Sequence, residues 1–420
     1  MKIKKITAGF LALGISVSML FQTPVLAEEE TAQDTAADTA SAVSTNSISG
    51  WPQASDITST AAVVMEDSND TILYAKNMDQ AVYPGSTVKI MTTLLALENS
   101  QLTDNVTMTQ TGVSGVTDGG ANISSQLDEV FTMEQCLYAV MLASANDIAL
   151  QVAEHIGGSV EAFVEMMNAR AKELGCTDTV FTNPTGLPDE NQHTTAHDMA
   201  LIMEAANRNE SFRTIAGTAS YTIPATNVSG GSRALTNNFS MITNGSSAYY
   251  EGCLGGKEGY TEASGSTIAC AASRDGMTLI AVVFQGAQGV TATEAAAILD
   301  YGFHNFQLLD VGDKDFNLLS GGVVTVPAGV SESDLTSEDV PADDGNLNRT
   351  YYYGGVAVGT GTLMPSEEQD QTVLTQSEEN MTAAQDLSRN KTMVPYYVIG
   401  GAGAFLLLLM ILWIVKIVRS

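Results

Sequence analysis

The chain is 420 residues long and carries a formal net charge of −30, from 48 Asp and Glu against 18 Lys and Arg. That length holds two or three domains around at least one sizeable core, and so acidic a body makes nucleic acid and anionic lipid surfaces poor partners. The four cysteines, Cys136, Cys176, Cys253 and Cys270, are too few for a disulfide-built fold, and no pair has the close spacing of a zinc site.

At the start, Lys2, Lys4 and Lys5 precede an apolar run over 6–21 and then Val25-Leu26-Ala27. This is the pattern of a secretory signal peptide over 1–27, and the run is short for a membrane span. Residues 28–54 read as a flexible leader rich in Ala, Thr, Ser and acids, with ordered structure expected from about Thr58. Two strand-like runs, 61–65 and 71–75, flank the polar turn Asp67-Ser68-Asn69-Asp70 and predict a hairpin. Tyr83-Pro84-Gly85 is a turn feeding a helix that opens at Ser86 and continues through Leu94, Leu95 and Leu97, apolar enough to be buried.

A helical block over 132–174 opens on Thr132 and Gln135, which have the spacing of a capping box. It is interrupted at Leu142-Ala143-Ser144-Ala145-Asn146-Asp147. A turn-rich break at 181–188 and a helix over 196–207 follow. The period then changes, and 253–260, 266–273 and 277–285 read as three antiparallel strands before a closing helix over 291–306. Strand regions bracket the helices. The expected architecture is therefore α+β, one antiparallel sheet built from both ends of a domain spanning 55–306, with helices on its faces.

Residues 307–365 form a small β-rich module, with strands near 321–326 and 350–358 and an acidic loop between them. An acidic stalk over 366–393 leads to 394–415, whose 22 residues contain no charge. As a helix this run is about 33 Å long, enough to cross a bilayer as a transmembrane helix. Tyr396, Tyr397 and Trp413 lie near its edges, and Lys416 and Arg419 follow in 416–420. The positive-inside rule then places 416–420 in the cytoplasm and the rest outside, on the outer face of a cytoplasmic membrane. Excluding the two terminal segments, the exterior part holds 13 basic and 48 acidic residues, a formal −35 that fits an exported, soluble surface.

Three short motifs carry chemistry. Ser86 and Lys89 stand three residues apart at a helix start, so hydroxyl and amine share a face. A serine needs a nearby base to become a nucleophile, and an amine serves once burial and the helix terminus lower its pKa. Ser144-Ala145-Asn146 sits where a loop can present side chains to a cleft. Lys257-Glu258-Gly259 lies on a strand, and its glycine admits close approach of a substrate backbone. Singly these matches are weak, since Ser388 and Lys391, and Ser44-Thr45-Asn46, repeat two of the spacings. Order and placement strengthen them, and of the six lysines between Glu28 and Met393 two fall inside the motifs.

In this order the set resembles the Ser-x-x-Lys, Ser-x-Asn and Lys-Thr-Gly signature of penicillin-binding proteins and class A β-lactamases. More narrowly, the chain resembles the D-alanyl-D-alanine carboxypeptidases among the low-molecular-mass penicillin-binding proteins. The likeness is carried by Tyr83-Pro84-Gly85-Ser86-Thr87-Val88-Lys89, Ser144-Ala145-Asn146-Asp147, Asn183-Pro184-Thr185-Gly186-Leu187, His193-Thr194-Thr195-Ala196-His197-Asp198 and Gly256-Lys257-Glu258-Gly259-Tyr260-Thr261. It implies a serine β-lactamase/transpeptidase-like domain that acts on a peptidoglycan stem peptide and is acylated by β-lactam antibiotics, without metal or cofactor. By the same resemblance Ser86 is the nucleophile, Lys89 its base, and Ser144 the relay to the leaving amine. Asn146, Lys257, the residue at 258, Gly259 and Tyr260 bind substrate, and the N–H groups of Ser86 and Tyr260 form the oxyanion hole.

One position departs from the family pattern. Glu258 stands where the family has a threonine that helps bind the substrate carboxylate. A carboxylate there weakens capture unless the side chain turns away. The alternative is thus a catalytically weak, membrane-tethered module that binds peptidoglycan or organises the envelope. A β-lactamase ranks third, because no dedicated deacylating carboxylate is assignable. His193 and His197 lack the Glu that follows the first histidine of a zinc protease, and read as a turn and a helix start. A hairpin turning near 261–262 sets Cys253 almost opposite Cys270. A disulfide or close thiol pair is expected there, provided the Cβ atoms come within about 4.5 Å.

Overall fold

A computed structural model describes residues 43–115, 120–312 and 317–364. The signal peptide over 1–27, the stalk over 366–393 with Ser388 and Lys391, the apolar run over 394–415 and the tail over 416–420 lie outside the described residues. Among the described residues no helix is long and apolar enough to cross a membrane.

Order begins earlier than the expected leader allows. Val43 and Trp51 are buried, and the Trp51 ring meets Phe306 edge-on with centroids 5.0 Å apart. Asn46 closes the segment by accepting the Ala54 N–H and donating to the Ala54 carbonyl. One buried indole contributes more apolar area than the surrounding Ala, Ser and Thr suggest, and this overrides the composition that reads as a leader.

Strands β1 (Ala61–Glu66) and β2 (Ile72–Lys76) form the first hairpin. A 3-10 turn, Gly85–Thr87, runs into α1 (Val88–Asn99). Next come β3 (Asn105–Thr107), the short α2 (Gln110–Ser114) and β4 (Val130–Thr132). Helix α3 (Met133–Leu142) starts on the expected capping box, with Thr132 and Gln135 satisfying each other's backbone N–H groups. The helical block then breaks twice, into α4 (Asn146–Gly157) and α5 (Val160–Glu173); Gly158, left-handed at φ 78°, ends α4. Helices α6 (Ala196–Asn207) and α7 (Glu210–Ala216) lead to a small hairpin, β5 (Ser220–Ile223) and β6 (Arg233–Thr236), absent from the expected elements. Strands β7 (Cys253–Thr261), β8 (Gly265–Arg274) and β9 (Met277–Gly286) and helix α8 (Thr291–Asn305) complete the domain.

The main sheet has the order β2-β1-β9-β8-β7, antiparallel throughout, so both ends of the domain do build one sheet. Side chains alternate between its faces. Ala61, Val63, Ala269 and Val282 join the core beneath the helical block, while Ala62, Val64, Ile268 and Val283 join the core beneath α8. Strand β7 is an edge.

The β7–β8 hairpin turns over 262–264 rather than 261–262. Cys270 therefore faces Gly256, an irregularity between Cys253 and Gly255 sets Cys253 opposite Ala272, and all four cysteines are free thiols. The expected disulfide is not formed, because the loop starts one residue later and is one residue longer than a 261–262 turn, which moves the partner of Cys270 from 253 to 256. The two thiols stay near one another on the face beneath α8, where burial and then Cys253 push the Cys270 thiol up.

The β-rich module pairs β10 (Phe306–Asp310) with β12 (Val323–Pro327). Beside this pair lies a sheet of β11 (Leu318–Gly321), β15 (Val356–Leu363), β14 (Leu347–Tyr353) and β13 (Thr336–Pro341). The stretch expected as an acidic loop contains β13. Its Asp339 lies opposite Arg349 and accepts two guanidinium hydrogen bonds, at 2.7 and 2.8 Å, which offset the poor strand propensity of the acid.

Candidate active site

The nucleophile turn is shaped by its neighbours. Gly85 has φ +55°, and a Cβ there would meet Ser264 Oγ at 3.0 Å, so the turn is wedged against the β7–β8 hairpin. Gly186 is held closer still, because a Cβ at that position would fall 1.9 Å from the Gly85 carbonyl oxygen. The Asn183 side chain accepts the N–H groups of Thr185 and Gly186 at 3.1 and 2.8 Å and so fixes the turn that carries Gly186.

Lys89, in the first turn of α1, is only 1% exposed. Its Nζ donates to the Thr185 carbonyl. Burial, and secondarily the positive charge of Lys257, push the Lys89 amine well below the ordinary lysine range. A neutral amine has a lone pair to receive a proton. The Asn-Pro-Thr-Gly motif is thereby given a task that side-chain patterning did not reveal: it supplies a backbone acceptor that holds the base.

Ser144 lies in the break between α3 and α4 with φ +56°, a left-handed conformation costing about 1–2 kcal/mol. The flanking backbone holds it there: the N–H groups of Ala143 and Ala145 both donate to the Ala139 carbonyl, and Asn146 N–H donates to Ala121. In this pose Ser144 Oγ donates to Ser86 Oγ at 3.2 Å. Asn146 is buried, and its Oδ1 has no partner among the described residues. A buried unpaired acceptor costs about 1–3 kcal/mol, and a substrate peptide N–H is the kind of donor that satisfies it.

Strand β7 forms the opposite wall. A Cβ at Gly259 would lie 2.6 Å from Ser86 Cβ and 3.0 Å from both Ser86 N and Oγ, so strand and nucleophile are in direct contact and only glycine fits. The Ser86 nitrogen lies at this contact, and Tyr260 follows Gly259 along the strand. Lys257 pairs with Ala269 on the face beneath the helical block, is fully buried, and donates to Asn238 Oδ1 at 3.2 Å. Burial lowers its pKa to about 8, with Glu258 pulling the other way. Glu258 pairs with Ile268, which belongs to the core beneath α8. Its side chain leaves on that face and accepts a hydrogen bond from Ser240 Oγ at 2.7 Å.

Of the sequence-derived residues, Ser86, Lys89, Ser144 and Gly259 are thus gathered, with Lys257 close enough to act on the Lys89 charge. Glu258 is turned away from them. Asn238 and Ser240 were missed, because no motif names the loop they occupy. His193 and His197 sit beside Asp178 and Asp79, at 3.3 and 3.6 Å. Among the described residues no group of three or more His, Cys, Asp or Glu is placed to hold a metal ion.

The sequence profile of the D-alanyl-D-alanine carboxypeptidases, peptidase family S11, matches residues 48–288. The chain belongs to this family. The match begins inside the segment read as a leader, in keeping with the buried Trp51. This S11 peptidase is 33% identical over 256 residues to the D-alanyl-D-alanine carboxypeptidase DacF of Bacillus subtilis (strain 168), a span covering 59% of this chain and 62% of that protein. It is 32% identical over 250 residues to DacB2 of Mycobacterium tuberculosis, over 57% of this chain and 81% of that one. The crystal structure of penicillin binding protein 5 from Haemophilus influenzae superposes with a TM-score of 0.62 at 25% identity, over 74% of this chain and 98% of that one. The α+β transpeptidase-like fold expected from the motifs is the fold found.

Proposed function

We propose that this S11 peptidase is a serine-type D-alanyl-D-alanine carboxypeptidase, releasing the last residue of a peptidoglycan stem pentapeptide through an acyl-enzyme on Ser86. The observation that carries this reading is the buried Lys89 amine, anchored on the Thr185 carbonyl one helical turn from Ser86 and pushed below the ordinary lysine range by burial and by Lys257. Lys89 takes the Ser86 proton as Oγ bonds to the carbonyl carbon between the two terminal D-alanines. The oxyanion is met by the N–H groups of Ser86 and Tyr260, a contribution of about 3–4 kcal/mol when well aimed. The proton passes through Ser144 to the leaving nitrogen, the C–N bond breaks and D-alanine departs. Water then attacks the ester, returns a proton to Ser86 Oγ and frees the shortened peptide. β-Lactams follow the first half of this course and remain on Ser86.

The weak-module reading rests on Glu258 hindering capture of the substrate carboxylate. That side chain accepts from Ser240 on the other face of β7 and leaves Ser86, Lys89 and Ser144 undisturbed, which favours an active peptidase. We also assign residues 394–415 as a single-pass anchor holding the domain on the cell-wall side of the cytoplasmic membrane, supported by the 22 uncharged residues and the basic pair Lys416 and Arg419. No nucleic-acid partner fits the acidic exterior. The test is mass spectrometry of a pentapeptide ending in D-Ala-D-Ala: the parent removes one alanine and Ser86→Ala does not. Alanine loss that persists in Ser86→Ala refutes the assignment.

A further inference from the structure

On the α8 side of β7, a cavity of about 420 Å³ opens beside the catalytic strand. Asn238, Ser240, Glu258, Tyr260, Ser266 and Thr291 are among the residues that line it. These are hydroxyls, an amide and one carboxylate, and no lysine or arginine lines it among the described residues. The neighbouring cation, Lys257, points to the opposite face and is fully buried, with Asn238 standing between its ammonium and the cavity. Glu258, whose Oε2 is fixed by Ser240, is thus the one charged side chain that lines this cavity among the described residues.

Residue 258 is also the position where the family pattern has a hydroxyl that meets the carboxylate of the leaving residue. An exposed edge strand can pair with an extended substrate backbone. The leaving residue then runs past residue 258, and any free carboxylate on it approaches a fixed carboxylate with no cation lining the cavity to pair with it directly, so buried Lys257 offsets the repulsion only in part. A leaving residue whose carboxyl is masked as an amide meets instead one acceptor and a wall of hydroxyls, and its N–H groups can donate to both.

We propose that Glu258 is a specificity-determining residue that makes this peptidase prefer a leaving amine without an adjacent free carboxylate, such as an amidated terminal residue or a side-chain amine in a cross-link. This inference rests on the peptidase reading above and names the substrate class of that same site. The bond broken is still the amide C–N, and the leaving nitrogen still takes the proton delivered through Ser144.

The test uses the purified full chain and two peptides identical except at the C-terminus, one ending in D-Ala-D-Ala as the free acid and one as the amide. The parent is expected to show the higher kcat/KM for the amide. Glu258→Gln and Glu258→Thr are expected to lower the amide-to-acid ratio by about tenfold or more, the effect of removing one partly screened like-charge contact, mainly by improving the acid. Melting temperatures of both variants establish that they are folded, and because the readout is a ratio, a general loss of activity does not imitate the effect. An acid preference in the parent equal to that of Glu258→Thr overturns the inference while leaving the peptidase reading intact. Absence of Ser86-dependent turnover of either peptide overturns both.

Discussion

Replacing Gly259 with alanine tests the contact on which the site depends. The added Cβ would sit 2.6 Å from Ser86 Cβ, whereas ordinary contact begins at 3.4 Å, so strand and nucleophile must part by about 0.8 Å. Neither partner is the end of a flexible side chain; both belong to the backbone or are one bond from it. Whichever yields, the nucleophile moves relative to the Tyr260 N–H that is to receive the oxyanion. A misplacement of about 1 Å costs on the order of 100-fold in rate, or about 2.7 kcal/mol of barrier. The overpacking also costs about 1–3 kcal/mol of stability. The assay is the second-order rate of covalent labelling by a fluorescent penicillin, measured beside a thermal melt. Labelling within about threefold of the parent, with an unchanged melt, would refute the described contact between β7 and Ser86.

The pH profile should be bell-shaped. Acylation rises with pH as Lys89 becomes neutral, then falls as Lys257 loses its proton near its pKa of about 8. Lys257→Arg keeps the charge at high pH and should flatten the descending limb, so a limb that persists unchanged in that variant would assign it elsewhere. The depressed Lys257 pKa also fixes the sign of a stability effect: from about 8 towards 10.5 the unfolded chain holds a proton that the folded chain has released, so stability gains from this group as pH rises across that window. Trp51→Ala should cost about 3–5 kcal/mol in urea unfolding, as for other buried aromatic truncations; a loss below about 1 kcal/mol means the N-terminal segment is not part of the folded core.

Much of this arrangement was legible in the chain. The two strand regions could be joined into one sheet because their apolar runs bracket the helices, and the nucleophile, relay and glycine stand in short motifs whose chemistry depends on spacing. What escaped has identifiable causes. The acceptor for Lys89 is a backbone carbonyl, and a carbonyl has no sequence signature. The Cys253–Cys270 disulfide failed on where the hairpin loop begins and how long it is, each of which the Thr-Glu-Ala-Ser-Gly stretch leaves open by a residue. Strand β13 was hidden by its acids, which become tolerable only once Arg349 lies across from Asp339. The reading of a leader fails over 43–54 because one buried tryptophan outweighs many small polar neighbours. The orientation of Glu258 stays open in the sequence, because its partner Ser240 belongs to a loop that no pattern marks.

The unpaired side of β7 has one more consequence. An edge that accepts an extended substrate accepts other extended chains equally well, including the same edge of a second copy. The usual guards, an inward charge, a proline or a covering loop, would also obstruct the substrate. Protection has to act before contact. With a net charge of −30, two copies repel one another at distances well beyond hydrogen-bond reach. The acidity that makes nucleic acid and anionic lipid poor partners thus also opposes edge-to-edge pairing, and it does so only while carboxylates are ionised and salt is moderate. In acid, or at high ionic strength, the same open strand becomes a place for the protein to meet itself.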